Sequence, residues 1–254
     1  MILDTIVARK KQEVAHLRAN GIVEPDCEIA GPRGFKAALL ADAGVSIIAE
    51  AKKASPSKGV ISPNFDPVQI AKEYQAGGAH ALSVLTDVDF FQGSLSYIPQ
   101  VRSVVALPVI RKEFIIDALQ IREASLYGAD AILLIAAILE KAQIVDFLAQ
   151  AREAGMDILV EVHDEYEAQM ALEAGTDLLG INNRNLNDFT VDIETTFRVM
   201  AEVPADIPVV SESGIRDRSD MIRLAEHRVT AALIGETLMR SADRNQGLQE
   251  LFGG

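Results

Sequence analysis

Short apolar runs rich in β-branched residues recur along the chain, and each gives way to a stretch with helical apolar spacing. The runs are VSIIAEAK (45–52), ALSVLTD (81–87), LPVIRKEF (107–114), AILLIAA (131–137), DILVEVH (157–163), LLGINNR (178–184), IPVVSES (207–213) and AALIGET (231–237). Their starts lie about 20 to 40 residues apart, the room that one strand, one loop and one helix need. The intervening stretches include PVQIAKEYQAGGA, ALQIREASLYGA, AQIVDFLAQAREAG and EYEAQMALEAG, and each ends near a glycine suited to a helix C-terminus.

Buried parallel strands read as nearly continuous apolar runs, because helices cover one face and a packed core fills the other. Eight such units without a long interruption predict an α/β chain folded as a single (β/α)₈ TIM barrel over residues 1–254. No Gly-rich dinucleotide motif follows the first run, which disfavours an open doubly wound sheet. Residues 1–44 precede the first run and read as an N-terminal helical extension, with one helix around 2–18 and another around 33–43. No low-complexity linker marks an internal domain boundary.

A barrel of this kind places its chemistry at the C-terminal ends of the strands. Five of the eight runs carry an ionisable or amide side chain there: Glu50 and Lys52, Lys112, Glu161, Asn182 and Glu212. Residues two apart share a face of a strand. Ile48, Glu50 and Lys52 therefore form one row, as do Ile110 and Lys112, Leu159 and Glu161, Gly180 and Asn182, and Val210 and Glu212. Strand ends are often merely solvated, but five compatible rows together point to a pocket. The fourth run offers no polar group, leaving an apolar sector for packing or for an aromatic substrate.

The last two runs carry a second signal. SESG ends the seventh with Ser213 and Gly214, and Gly235 opens a short helix after the eighth. Barrels often bind phosphate there through backbone N–H groups, which glycine lets an anion approach closely; the competing reading is that both glycines only serve turns. SPSKG after the first run lacks the spacing of a P-loop.

Charge sharpens this picture. The chain of 254 residues has a net charge of −13, 49% apolar residues and one cysteine, Cys27. An acidic surface argues against nucleic acid or an anionic membrane as partner. It also requires a locally positive pocket for any anionic substrate, which Lys52, Lys112 and Arg184 would supply. The single cysteine excludes an internal disulfide and fits a reducing compartment. The N-terminal stretch lacks the uninterrupted apolar core of a signal peptide, and nowhere do enough apolar residues run together to span a membrane. His16, His80, His163 and His227 are scattered and suggest no metal site, although His163 lies near a strand end. The expectation is a cytoplasmic protein without metal or cofactor, monomeric or a weak homodimer, acting on a small phosphorylated anion. Lysines as acids and glutamates as bases or orienters suit proton transfer. Two other readings stay open: a Schiff-base aldolase with Lys112 or Lys52 as nucleophile, and a barrel that binds a phosphorylated ligand without turning it over.

The segments IIAEAKKASPSKG, LTDVDFFQGS, LPVIRKEFIID, LVEVHDEYEA, GINNRNL, VVSESGI and ALIGETLM together resemble indole-3-glycerol phosphate synthase, a barrel enzyme of tryptophan biosynthesis. The resemblance spans nearly the whole chain. It implies the substrate 1-(2-carboxyphenylamino)-1-deoxyribulose 5-phosphate, closed to an indole with loss of CO₂ and water. It implies Lys112 as the acid at the carbonyl oxygen, and Lys52 with Glu50 for the substrate carboxylate and the dehydration. Glu161 would be a further acid/base residue and Asn182 a positioning amide. Glu212 and Ser213 would be pocket residues, with Gly214, Gly235 and Glu236 along the phosphate site. Ser55, Phe91, Arg184 and Leu186 would line the substrate pocket, Phe91 beside the aromatic ring. Glu113, where the family often has aspartate, and Ala118-Leu119, where Pro-Tyr is common, depart from the pattern outside the inward rows. A fused isomerase is not expected, since no second barrel is present.

Overall fold

The computed structural model describes residues 2–186 and 188–253. Eight parallel strands close into a barrel in chain order. They are β1 (Ser46–Ala51), β2 (Ala81–Leu85), β3 (Val109–Lys112), β4 (Ala131–Ile135), β5 (Asp157–Val162), β6 (Leu179–Asn182), β7 (Val209–Glu212) and β8 (Ala231–Ile234). Closure is made by β1, which pairs with β2 on one side and β8 on the other. Each strand is a residue or more shorter than the run that announced it, because the polar ends of the runs turn into the loops.

Strand alternation divides the core in two. Ile48, Ile110, Leu159, Val210 and Leu233 point inward and pack as one cluster. Their neighbours in sequence, such as Ile47, Ala49, Val109, Val160 and Ala232, pack outward against the helices. The predicted inward rows are the observed ones. From the N-terminal end the interior is plugged by Phe35 and Leu39 of the short helix α2 (Phe35–Leu39), both buried. This helix is shorter than the sequence suggested; the chain turns after Leu39 and does not resume it before Gly44.

The outer layer is set by local signals. Helices α3 (Pro67–Ala76), α5 (Ala118–Leu126), α7 (Glu165–Glu173) and α9 (Arg218–Glu226) each start at an aspartate, Asp66, Asp117, Asp164 and Asp217, whose carboxylate accepts backbone N–H groups of the first turn. Between them lie α4 (Tyr97–Arg102), α6 (Lys141–Glu153) and α8 (Glu194–Met200), and α10 (Glu236–Arg240) and α11 (Arg244–Phe252) complete the chain. The sequence reading did not separate α11 as an element.

Charge fixes the N-terminal end of the barrel. Asp130 is fully buried and accepts from the backbone N–H of Arg33 at 2.7 Å, the backbone N–H of Val109 at 2.7 Å and the guanidinium of Arg102. Arg33 in turn donates to the carbonyls of Arg102, Val105 and Leu107. The long helix α1 (Ile2–Asn20) reaches the other end of the barrel. There Lys10, 1% exposed, lies 2.7 Å from Asp87 and 2.9 Å from both Glu113 and Glu13. Burial alone would lower its pKa, but Glu113 and Asp87 hold it above the ordinary lysine value.

Removing one member of such a buried network leaves the others uncompensated. Asp130→Ala should therefore lower the urea unfolding midpoint by the equivalent of about 3 to 5 kcal/mol. Lys141→Ala, which removes the exposed pair with Glu173, should leave it unchanged. Equal midpoints for the two variants would contradict this account.

Candidate active site

At the C-terminal end of the barrel lies a cavity of about 820 Å³. Its inner wall is made by the last inward residues of the strands: Glu50 on β1, Lys112 on β3, Glu161 on β5, Asn182 on β6 and Glu212 on β7, with Lys52 just beyond β1. Leu133 and Ile135 of β4 supply the apolar sector. Two glycines make room for the charged groups. A Cβ on Gly180 would come within 2.4 Å of Glu212 Oε1, and one on Gly235 within 2.4 Å of Glu50 Oε1 and 3.0 Å of Lys52 Nζ.

Two ammonium–carboxylate groups occupy this wall. Lys112 Nζ lies 2.9 Å from Glu161 Oε2 and 2.5 Å from Glu212 Oε2. Lys52 Nζ lies 2.5 Å from Glu50 Oε1, while the other Glu50 oxygen accepts from Ser83 Oγ at 3.4 Å. Asn182 donates from Nδ2 to Glu161 Oε1 at 3.1 Å, and its own Oδ1 accepts the Arg184 backbone N–H at 3.0 Å.

The titration behaviour follows from this packing. Burial would lower the Lys112 ammonium, but Glu161 and Glu212 outweigh it and hold the pKa above the ordinary lysine value. Burial would raise Glu161, but Lys112 and His163 outweigh it and hold the carboxyl well below the usual range. For Glu212 burial prevails: Lys112 pulls the pKa down, Glu161 and Glu50 push it up, and it stands at about 7. One Glu212 oxygen, Oε1, is buried without a hydrogen-bond partner.

The outer wall comes from loops and from α1. Asp87 Oδ1 accepts the backbone N–H groups of Phe90 at 2.7 Å and Phe91 at 3.0 Å, holding the loop that presents Phe91. The Phe91 ring lies 5.9 Å from that of Phe114. Ser55 sits in a two-stranded ribbon, Ala54–Ser55 with Gly59–Val60, after β1. Arg184 and Leu186 line the cavity from the loop after β6. Ser213 and Gly214 have left-handed φ values of 66° and 83°; the buried Asn183 donates to the Ser213 carbonyl at 2.9 Å and to Ser211 Oγ at 3.0 Å. Gly235 and Glu236 also border the cavity, but the Glu236 carboxylate turns to Arg240 at 3.1 Å and Lys58 at 3.6 Å.

Every sequence-derived site residue thus meets one cavity. Others were missed. Phe114 continues the row Ile110–Lys112 by two residues, so alternation could have found it. Ile2 and Ile6 on α1 also line the cavity, and their spacing of one helical turn was the signal. Asn183 and His163 stand behind the wall and are invisible to a search for pocket residues. Among the described residues no group of three or more His, Cys, Asp or Glu side chains is arranged to hold a metal ion.

The profile of the family described as indole-3-glycerol phosphate synthase matches residues 3–251. An indole-3-glycerol phosphate synthase from Desulfotalea psychrophila is 62% identical over 255 residues, covering 99% of this chain and 98% of that protein. More distant structures share the barrel alone. An N-acetylmannosamine-6-phosphate 2-epimerase from Clostridium perfringens has a TM-score of 0.63 at 16% identity, over 84% of this chain and 94% of that one. A thiamine phosphate pyrophosphorylase from Pyrococcus furiosus has a TM-score of 0.62 at 18% identity, over 82% and 94%.

The raised Glu212 makes a direct prediction. Infrared difference spectra of the wild type against Glu212→Gln should show a protonated carboxyl band that appears as pH falls through about 7. A midpoint in the ordinary glutamate range would contradict the packing argument.

Proposed function

The chain belongs to the indole-3-glycerol phosphate synthase family, and from this premise we propose how its cavity closes an indole ring. The enzyme converts 1-(2-carboxyphenylamino)-1-deoxyribulose 5-phosphate to indole-3-glycerol phosphate, CO₂ and water. The observation that carries the residue roles is the Lys112 ammonium, held between two carboxylates on the inner wall.

In the first step the ring carbon bearing the carboxylate attacks the ribulose carbonyl carbon. The carbonyl π electrons move to oxygen, which takes a proton from Lys112. Loss of CO₂ then returns an electron pair to the ring. A protonated lysine suits this work, since charge develops on the oxygen as the bond forms. The same protonation disfavours the aldolase reading, because an ammonium group has no free electron pair with which to attack a carbonyl.

The second step expels the new hydroxyl as water. It needs an acid at the departing oxygen and a base for the proton leaving the adjacent carbon. Lys52, paired with Glu50, is assigned as that acid, and a carboxylate beside Lys112 as the base. Asn182 orients Glu161. Phe91 and Leu186, with Leu133 across the cavity, offer the aromatic ring an apolar berth. Backbone N–H groups at Ser213, Gly214, Gly235 and Glu236 are assigned to the phosphate, with Arg184 as counter-charge and Ser55 in the loop at the mouth. Turning the Glu236 carboxylate away to Arg240 and Lys58 removes the repulsion it would otherwise exert there.

Loss of a positioned acid costs about 10² to 10⁴ in rate. Lys112→Ala should lower kcat by that factor while far-ultraviolet circular dichroism stays unchanged. Turnover is read directly from indole fluorescence, because the chain contains no tryptophan. Wild-type turnover in Lys112→Ala would contradict the assignment.

A further inference from the structure

We propose that Asn183 is a positioning residue for the substrate's phosphate: its buried side chain sets the peptide between Ser213 and Gly214 so that the Gly214 N–H faces the cavity. The inference rests on the reading of the Ser213–Gly214 loop as part of the phosphate site.

Asn183 follows the last residue of β6, is buried and does not border the cavity. Its side chain closes a ring of hydrogen bonds with Ser211 of β7 and Thr196 of α8. Nδ2 donates to Ser211 Oγ at 3.0 Å, and Oδ1 accepts from Thr196 Oγ1 at 2.8 Å. The two hydroxyl oxygens lie 2.7 Å apart. A hydroxyl has a single proton to give. That of Thr196 goes to Asn183, so Ser211 is the donor between the two hydroxyls, and each member of the ring both gives and accepts a proton. The backbone N–H of Thr196 adds a second donor to Oδ1 at 3.0 Å. The amide therefore has one orientation, with its remaining N–H directed at the Ser213 carbonyl at 2.9 Å. Ser211 and Thr196 are fully buried, and in so dry a setting a satisfied network is rigid.

The backbone of Asn183 grips the same corner. Its N–H donates to the Glu212 carbonyl at 2.9 Å, so one residue holds two successive carbonyls where the chain leaves β7. Its carbonyl accepts the Asp192 N–H at 3.0 Å, seating the adjacent Val191 where a Cβ on Gly214 would come within 2.6 Å of it.

This hold works against a local preference. Ser213 stands at φ 66°, in the left-handed region that a side chain disfavours. A peptide unit is planar and trans, so its carbonyl and its N–H point opposite ways. Turning the Ser213 carbonyl back to Asn183, behind the wall, directs the Gly214 N–H at the cavity that both loop residues line. An N–H fixed before the anion arrives costs nothing to order on binding. The phosphate takes no part in bond making, so its grip is alike in the ground and transition states and shows in KM rather than kcat.

The test uses Asn183→Ala, which breaks the ring and frees the Ser213 carbonyl, and Thr196→Val, of matched size, which removes only the hydroxyl that orients the amide. KM for the phosphorylated substrate should rise about tenfold in Asn183→Ala and about threefold in Thr196→Val, with kcat within about twofold in both. Inorganic phosphate titrated into nitrogen-15-labelled protein, and followed at the Ser213 and Gly214 amides by NMR, supplies a readout independent of turnover. Its dissociation constant should rise by the same factors. A merely structural role would lower the unfolding midpoint and leave that constant unchanged in the folded protein, which would overturn the inference. So would a fall in kcat at unchanged KM. Where Asn183→Ala does not fold, Thr196→Val decides by the same readings. Ser213 and Gly214 amides that ignore phosphate in the wild type would instead overturn the phosphate assignment, and the inference with it.

Discussion

A buried ammonium group is tolerable at the end of an apolar barrel only in the company of carboxylates, and this constraint organises the working face of the molecule. Two lysines meet it on opposite sides of β3. Lys112 points into the barrel, between Glu161 and Glu212. The next residue, Glu113, points outward and receives Lys10 of α1. The pleat of a single strand thus joins the inner charge cluster to the helix that closes the cavity. Lys10 also meets Asp87, and Asp87 and Glu113 accept the backbone N–H groups of Phe91 and Phe114 respectively. The aromatic wall and the acid/base wall are held by one connected set of charges.

The same constraint explains how an acidic protein serves an anionic substrate. The net charge is −13, yet Lys52, Lys58, Arg184, Arg216 and Arg240 line the cavity along with Lys112. Within a cleft of low dielectric, local charge outweighs a dispersed surface charge that salt screens. Gly180 and Gly235 complete the arrangement by their lack of a side chain, since the carboxylates of Glu212 and Glu50 occupy the space a Cβ would need.

The barrel and its inward rows were legible because period-two alternation and apolar runs are local properties of a strand. Glu50, Lys112, Glu161, Asn182 and Glu212 could be placed on one wall for the same reason. Residues acting from behind that wall were not legible in this way. His163 is held by Glu167 from the following helix, and Asn183 by Ser211 and Thr196; neither partnership has a sequence period. The roles of α1 and of Lys10 depend on how a helix crosses the barrel end, which composition does not encode. The departure at Glu113 proves structural, since its longer side chain reaches Lys10 on the outer face.

The central claim is that the two lysines serve successive steps, Lys112 in ring closure and Lys52 in dehydration. Single-turnover kinetics that follow CO₂ release and indole fluorescence separately test it most directly. The account predicts that Lys52→Ala releases CO₂ in the first turnover while fluorescence lags far behind, and that Lys112→Ala delays both signals together. Equal slowing of CO₂ release and fluorescence in Lys52→Ala, or prompt CO₂ release in Lys112→Ala, would contradict it.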